Sequence, residues 1–552
     1  MAMDQPAMPM LMSTDSAAAV MVLLSVATLL LALNHHLLSS WRRRSSRRLP
    51  PSPPRLPVIG HLHLLRPPVH RTFHELATRL GAPLMHIRLG STHCVVAGTA
   101  DVARELIRDH DAAISGRPVS VLSRLFSYGS AGFAFTPNSR HWRFLRRLCV
   151  SEVLGTRTVE QLRHVRRGSL AELLRAVRAS SARGDAVDVT RELIRFSNTA
   201  IIRMVASDAA VTDEAQELVK AVTELLGAFN LEDYVPLCRG WDLQGLRRKA
   251  TVVHRRFDAV LEQMIRHKEA ARDMERRRRG GSGTLEDKRV EGPPATTCKQ
   301  RNKDLLDILL DKAEDETAEV KLTRENMKAF IIDVVTAGSD SSAVTVEWML
   351  AELMNHPEAL GKVRDEIDAV VGGGDGRIVG EADLARLPYL QATFKETLRL
   401  HPGAPIAHRQ STTEMVVRGF TVPPETAVYI NLWAIGRDPS FWEDPLAFRP
   451  ERFMPGGAAE GLEPRGGGGG GQQFQFMPFG SGRRGCPGMG LAQQSVPAVL
   501  AALVQCFDWA AADDGETAAI GMDESDVGLV CARKHPLVLR PTARLNPFPA
   551  VV

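Results

Sequence analysis

The chain has 552 residues, 44% of them hydrophobic and 24% charged, with a formal net charge of +5. This composition excludes a disordered chain and supplies a large core, while so small a charge gives no case for nucleic-acid binding. Seven scattered cysteines without a C-x-x-C pair exclude a secreted disulfide framework and a zinc ribbon, and they fit a reducing compartment.

Residues 17–33 are uncharged and almost wholly apolar, at the lower limit of about 17 residues for a helix spanning a bilayer. Arg42, Arg43, Arg44, Arg47 and Arg48 follow, whereas Asp4 and Asp15 precede, so the positive-inside rule places the bulk of the chain in the cytosol. A cleaved signal peptide is the competing reading, but its positive charge would lie on the wrong flank. Residues 1–48 therefore read as a membrane anchor with a basic flank. Pro50, Pro51, Pro53, Pro54 and Pro57 make residues 49–60 a stiff extended hinge, and 61–552 one large domain.

Alternating apolar residues predict strands at 84–89 and 93–96, turning at Gly90-Ser91. Arg117-Pro118 opens a less regular, aromatic segment containing Phe126, Phe133 and Phe135. Trp142 and Arg146 lie four apart on one face of a basic helix. Amphipathic helices fill residues 188–268, and the polar run from Glu275 to Lys303 predicts a surface loop. Inserts are expected at 280–303 and at 456–472, the second including six glycines from Gly466 to Gly471 that no Lys-Ser or Lys-Thr follows.

Thr323 is the expected N-cap of a long helix ending at Asn355, before Pro357. Its apolar run is broken by Ala337-Gly338-Ser339-Asp340-Ser341-Ser342. Small residues let a ligand or water approach the backbone, and a carboxylate beside a hydroxyl can relay protons. A helix kinked by polar residues is the bland alternative. Glu396 and Arg399 stand at i, i+3 on one helical face, ahead of the Phe448-Arg449-Pro450-Glu451-Arg452-Phe453 run.

Near the end, Phe479-Gly480-Ser481-Gly482-Arg483-Arg484-Gly485-Cys486-Pro487-Gly488 presents one cysteine in a glycine-rich turn. A thiolate is a soft metal ligand, and backbone N–H groups with a nearby cation stabilise it; alone, such a cysteine also reads as a buried inert thiol. A helix from Met489 to Phe507 follows, and residues 527–530 and 535–539 read as terminal strands.

The Phe-x-x-Gly-x-Arg-x-Cys-x-Gly spacing resembles the haem-binding loop of the cytochrome P-450 monooxygenases, and the other motifs occur in that family's order. The resemblance implies a mostly α fold with a small β region, a triangular helical prism holding haem between the long central helix and the cysteine loop. It implies haem b with Cys486 as axial thiolate, with Phe479, Arg484, Gly488, Trp142, Arg146 and Arg409 contacting the cofactor. It makes Asp340 the proton-delivery acid and Ser341 the oxygen-activation hydroxyl, where threonine is usual. A serine lacks the methyl that restricts the threonine rotamer, so its hydroxyl is less firmly aimed. Glu396, Arg399 and Arg452 become a structural network, and Phe126, Phe133, Ala337, Ile406 and Leu529 line the substrate pocket.

Further implications are an NADPH-fed cytochrome reductase as partner, dioxygen as co-substrate, and an endoplasmic reticulum membrane location with one N-terminal span. Residues 148–155 and 473–489 resemble the plant flavonoid branch, which makes a flavanone-type phenolic the expected substrate. The alternatives are isoflavonoid, pterocarpan or terpenoid hydroxylation on the same fold, a haem-thiolate isomerase, and a haem-binding protein without turnover.

Overall fold

The structure is a computed structural model that describes residues 48–207, 213–280, 303–372, 377–464, 473–512, 519–545 and 548, with a few positions between 21 and 31. Most of the expected anchor, its basic flank through Arg47, Cys298 and the six-glycine run lie outside the described residues. Among the described residues two helices are long and apolar enough to cross a membrane, Arg324–Asn355 and Met489–Cys506; both are mostly buried within the protein, as core helices are.

Leu84–Leu89 (β1) and Thr92–Ala97 (β2) form the expected antiparallel hairpin, with Leu89 opposite Thr92. Gly90 turns it at φ +57°, and a Cβ there would run into the carbonyl of Tyr234. A short strand Val187–Asp188 (β3) follows, then Ile406–Gln410 (β4), Met415–Val417 (β5), Phe420–Val422 (β6), Ala427–Asn431 (β7), Phe507–Ala511 (β8) and Val538–Ala543 (β9). The main sheet has the order β1-β2-β7-β4, with β2 and β7 parallel; a second runs β3-β9-β8, and β5 pairs β6.

The helices that position the site are Val69–Leu80 (α1), Val121–Phe126 (α2), Arg140–Leu148 (α3), Val189–Val205 (α4), Asp213–Gly227 (α5), Leu246–Gly280 (α6), Arg324–Asn355 (α7), Pro388–Leu400 (α8) and Met489–Cys506 (α9). As expected from the sequence, Thr323 and Asn326 cap α7 reciprocally: Thr323 Oγ1 accepts from Asn326 N at 3.2 Å, and Asn326 Oδ1 accepts from Thr323 N at 3.0 Å. α7 is buried along most of its length and packs along α4, so it forms the axis of the helical body. One core joins α7, α8 and α9; another joins α3 to α7.

Four expectations change. α6 continues through the arginine run to Gly280 rather than ending in a loop at Glu275. Glu and Arg are good helix formers, and Arg272 pairs with Asp311 at 2.6 Å and Glu314 at 3.3 Å on the neighbouring helix Leu305–Glu314. Residues 49–60 are not a free hinge: β1 is an edge strand, and His86 N donates to Pro51 O at 2.8 Å while Gly60 bridges to Leu89. The insert expected from 456 is packed as far as Leu462, whose carbonyl takes a 3.0 Å bond from Lys395 Nζ, with Ala459 and Leu462 buried. Residues 527–530 are bends instead of a strand, because Gly528 sits at φ +110° and Ser525 N bonds to Ala532 O at 2.8 Å across a tight turn.

Candidate active site

The cysteine loop is shaped by its own backbone. Cys486 N donates to Phe479 O at 2.8 Å and Gly480 N to Met477 O at 2.8 Å, and Gly480 and Gly482 adopt φ of +65° and +66°. Gly482 has no room for a Cβ, which would strike the Asp111 carboxylate; that carboxylate also receives Arg483 N at 3.2 Å. Arg146 Nη2 donates to Gly485 O, joining α3 to the loop one residue before Cys486. α9 starts three residues after the cysteine, so the positive end of its dipole lies at the loop.

Around this loop the fold gathers guanidiniums. Arg484 donates to Ser115 O at 2.8 Å and Thr136 O at 2.7 Å, and it lies 4.0 Å over the Trp142 ring. Arg409 donates to His408 O at 3.0 Å and Ser481 O at 3.3 Å. Among the described residues neither has a carboxylate as a hydrogen-bond partner. Burial first, and then the charge of Arg117, push Arg409 and Arg484 down to about 9. Burial also lowers Arg117, with Asp333 opposing, and its Nη1 has no hydrogen-bond partner among the described residues. Arg117 and His408 keep accessible surface although protein surrounds them, so they face an interior chamber.

Arg117, Arg146, Arg409 and Arg484 outnumber the carboxylates beside them, Asp111 and Asp333, and such an excess of buried positive charge calls for an anionic group between them. The two carboxylates of a haem would have the matching charge. Sequence reasoning had placed Trp142, Arg146, Arg409 and Arg484 here; it missed Arg117, whose only signal was an arginine opening an irregular segment.

On α7, Ala337 is exposed midway along a mostly buried helix, and Gly338 and Ser341 are half-buried beside it. Ser341 Oγ donates to Ala337 O at 2.7 Å. Gly403, in the turn before β4, sits beside Ser341: a Cβ there would lie 3.7 Å from Ser341 Cβ. Burial raises the Asp340 carboxyl, and a hydrogen bond from Thr223 on α5 partly offsets this. Two turns before Asp340, Asp333 Oδ2 accepts Phe133 N at 2.6 Å and Ala134 N at 2.9 Å, and burial pushes it up to about 6. Nothing in the local sequence marks Asp333, whose partners lie 200 and 199 residues away.

Glu396, Arg399 and Arg452 do come together. Arg399 Nε and Nη2 each reach a Glu396 oxygen at 2.7 Å, and Arg452 Nε lies 3.2 Å from Glu396 Oε1. The remaining Arg399 donors go to the carbonyls of Gly436, Pro445 and Ala447 at 2.8, 2.6 and 2.9 Å. The side chains of Glu396 and Arg399 have 0% exposure, and every donor is satisfied.

A cavity of about 670 Å³ opens between the main sheet and α5, lined among others by Phe135, Leu226, His408, Gln410 and Leu529. Of the expected pocket residues only Leu529 lies on it. Phe126 is corrected to a core residue: as the last residue of α2 it is 1% exposed and packs edge-on to His254 of α6. Phe133 packs against Phe330, its ring centroid 4.9 Å away, and its carbonyl accepts Trp142 Nε1 at 3.1 Å. Ile406 is half-buried at the start of β4. The cavity adjoins the guanidinium cluster through His408 and through Phe135, which Arg117 overlies at 5.8 Å.

The cytochrome P450 family profile matches residues 50–538. The chain belongs to the cytochrome P450 family. It is 67% identical to cytochrome P450 93G1 of Oryza sativa subsp. japonica over 91% of this chain and 92% of that one. It is 42% identical to a 3,9-dihydroxypterocarpan 6A-monooxygenase of Glycine max, over 91% and 94% of the two chains. A zebrafish cytochrome P450 solved with abiraterone is 22% identical, with a TM-score of 0.67 over 86% of this chain and 100% of that one, which shows the fold. This P450 is thus a haem-thiolate monooxygenase, using dioxygen and NADPH-derived electrons that a redox partner delivers.

Proposed function

We propose that this P450 oxidises a flavanone-type phenolic plant metabolite, by 2-hydroxylation or on to the flavone. The observation that carries this reading is the similarity to the pterocarpan and isoflavanone enzymes of legumes; the cavity of about 670 Å³ beside the guanidinium cluster, with Phe135, His93, His408 and Gln410 on its wall, has room for such a ring system. Relatives support it: besides the pterocarpan monooxygenase, a 2-hydroxyisoflavanone synthase of Glycyrrhiza uralensis is 36% identical over 91% of this chain and 92% of that one. A terpenoid hydroxylase is the second reading, favoured by 39% identity over 91% of the chain to a beta-amyrin 24-hydroxylase of Glycine max.

In this reading Cys486 would supply the thiolate that holds the haem. Cys94, Cys149 and Cys506 are buried thiols pushed up to about 12, and burial, with Glu524, raises Cys531 well above the ordinary thiol range, so none of these four is poised as a thiolate. Haem bound there supplies dioxygen activation, with the thiolate donating electron density that favours O–O cleavage. Arg117, Arg146, Arg409 and Arg484 would hold its carboxylates, and Trp142, Phe479 and Gly488 would pack about it. Asp340, raised by burial, keeps a proton closer to neutral pH and passes it towards Ser341. The Ser341 hydroxyl, donating to Ala337 O, turns about its side-chain bond to hand that proton on. Glu396, Arg399 and Arg452 hold the segment before the cysteine loop. Residues 17–33 anchor the chain in the endoplasmic reticulum membrane with the catalytic domain cytosolic, facing an NADPH–cytochrome reductase.

Microsomes carrying the chain and a plant reductase are given a panel of flavanones, isoflavonoids and triterpenes, with products identified by mass spectrometry. A 2-hydroxyflavanone or flavone is the expected product. Turnover of triterpenes alone, with the haem spectrum intact, would defeat the flavanone reading.

A further inference from the structure

The two sides of α3 do different things. Inward, the helix buries Trp142 and Leu145 and is tied to the cysteine loop by the bond from Arg146 to Gly485 O. Outward, Arg140, Arg143 and Arg147 recur at i, i+3 and i+7, which puts them on one stripe, and all three are exposed. A redox partner docked on this stripe would meet the cysteine loop across a single helix, and a row of arginines suits a partner surface rich in carboxylates.

Part of that stripe is already taken. Glu319 Oε1 accepts Arg140 Nε at 3.2 Å and its Oε2 accepts Arg147 Nη2 at 2.6 Å, so one carboxylate bridges both ends of the row. Arg143, between them, donates from Nε to Ser139 O at 3.3 Å and has no carboxylate partner among the described residues. Glu319 stands in the connection between Leu305–Glu314 and α7, and the base of that connection is fixed. Leu322 is buried, Val320 packs against the core that α3 shares, and Lys312 pairs with Glu152 at 3.3 Å just beyond α3. The bridging groups are free to move: the side chains of Glu319, Arg140 and Arg147 are 42%, 74% and 65% exposed, so the bridges open without unpacking the core.

We propose that Glu319 is an internal competitor for the electron donor: it stands where a carboxylate of the partner would, and must release Arg140 and Arg147 before the partner can use them. Arg147 first, and then Arg140, hold Glu319 below the usual carboxylate range, so the screen stays charged throughout neutral pH. Docking then exchanges one set of exposed ion pairs for another. That keeps the complex weak, which suits a donor that comes and goes between single-electron deliveries.

The inference rests on the reading of a reductase as partner and not on the substrate. Its test follows NADPH-driven reduction of the haem under carbon monoxide, in the full-length holoprotein, as a plant NADPH–cytochrome reductase is titrated in. Glu319→Gln keeps the side-chain volume and removes the charge. Glu316→Gln removes a charge from the same connection, at an exposed residue with no ion pair among the described residues. At low ionic strength Glu319→Gln should lower the half-saturating reductase concentration about threefold and Glu316→Gln should leave it nearly unchanged, and at about 0.5 M salt the difference should vanish. Arg143→Gln should raise it. Dithionite-reduced carbon monoxide spectra check that each variant holds its haem. An unchanged or higher half-saturation in Glu319→Gln overturns the inference. So does an equal drop in Glu316→Gln, which would make net charge the cause, or an Arg143→Gln variant that docks like wild type, which would move the donor to another face. A dithionite band without any NADPH-driven reduction would sink the reductase reading, and this inference with it.

Discussion

Replacing Glu396 by alanine removes the one carboxylate that serves both Arg399 and Arg452. Arg399 loses two 2.7 Å bonds and Arg452 its 3.2 Å contact, and Arg449 N loses a 2.9 Å acceptor. The two guanidiniums are then buried together, Arg399 with 0% side-chain exposure and Arg452 with 6%. Breaking a buried pair by removing one partner costs about 3–5 kcal/mol, because the charge left behind is uncompensated. Against a total stability of about 5–15 kcal/mol that is a large fraction. At ~2 °C per kcal/mol the holoprotein should melt about 6–10 °C lower. The carbon monoxide difference spectrum should also fall, because Arg399 ties α8 to the carbonyls of Gly436, Pro445 and Ala447 ahead of the cysteine loop. Glu396→Gln keeps the volume and one acceptor and should fall between. A Glu396→Ala protein with wild-type melting temperature and full spectrum would refute the reasoning.

Cys486→Ala should give a chain that still inserts in membranes but lacks the thiolate-ligated haem spectrum; a retained spectrum would place the ligand elsewhere. Ser341→Thr restores the methyl that fixes the hydroxyl rotamer, so the ratio of product formed to NADPH consumed should rise, and an unchanged ratio would remove any coupling role for this position. Asp333, about 6 in the folded chain and about 3.9 when unfolded, holds a proton in that window which the unfolded chain has released. Its contribution to stability therefore falls as pH rises from about 4 to 6, by about 2–3 kcal/mol, and is level above. Asp333→Asn, whose side-chain oxygen can still accept Phe133 N and Ala134 N, should flatten that slope in denaturant melts from pH 4 to 7; an identical slope would show that another group titrates there.

Much of the site was legible because local chemistry wrote it. Cap and proline fixed α7 between Thr323 and Asn355, an i, i+3 spacing put Glu396 beside Arg399, and alternation with Gly90-Ser91 made the hairpin. Arg117 and Asp333 were not legible, since each means something only through partners far along the chain. Asp333 reaches back 200 residues to Phe133, and Arg117 gains its role from Arg409 and Arg484. The pocket wall went astray for the same reason. Phe126 and Phe135 look alike in sequence, and only the turn out of α2 sends the first into the core and leaves the second on the cavity.

The sequence by itself determined the chemistry this protein carries, because a thiolate in a glycine-rich turn and an acid beside a hydroxyl in an apolar helix depend on near neighbours alone. Tertiary structure decided which cations converge on the cysteine loop and which carboxylate lies over the arginines of α3. Those are set by long-range closures such as the meeting of Arg147 with Glu319, 172 residues apart, for which no local pattern in the chain is required.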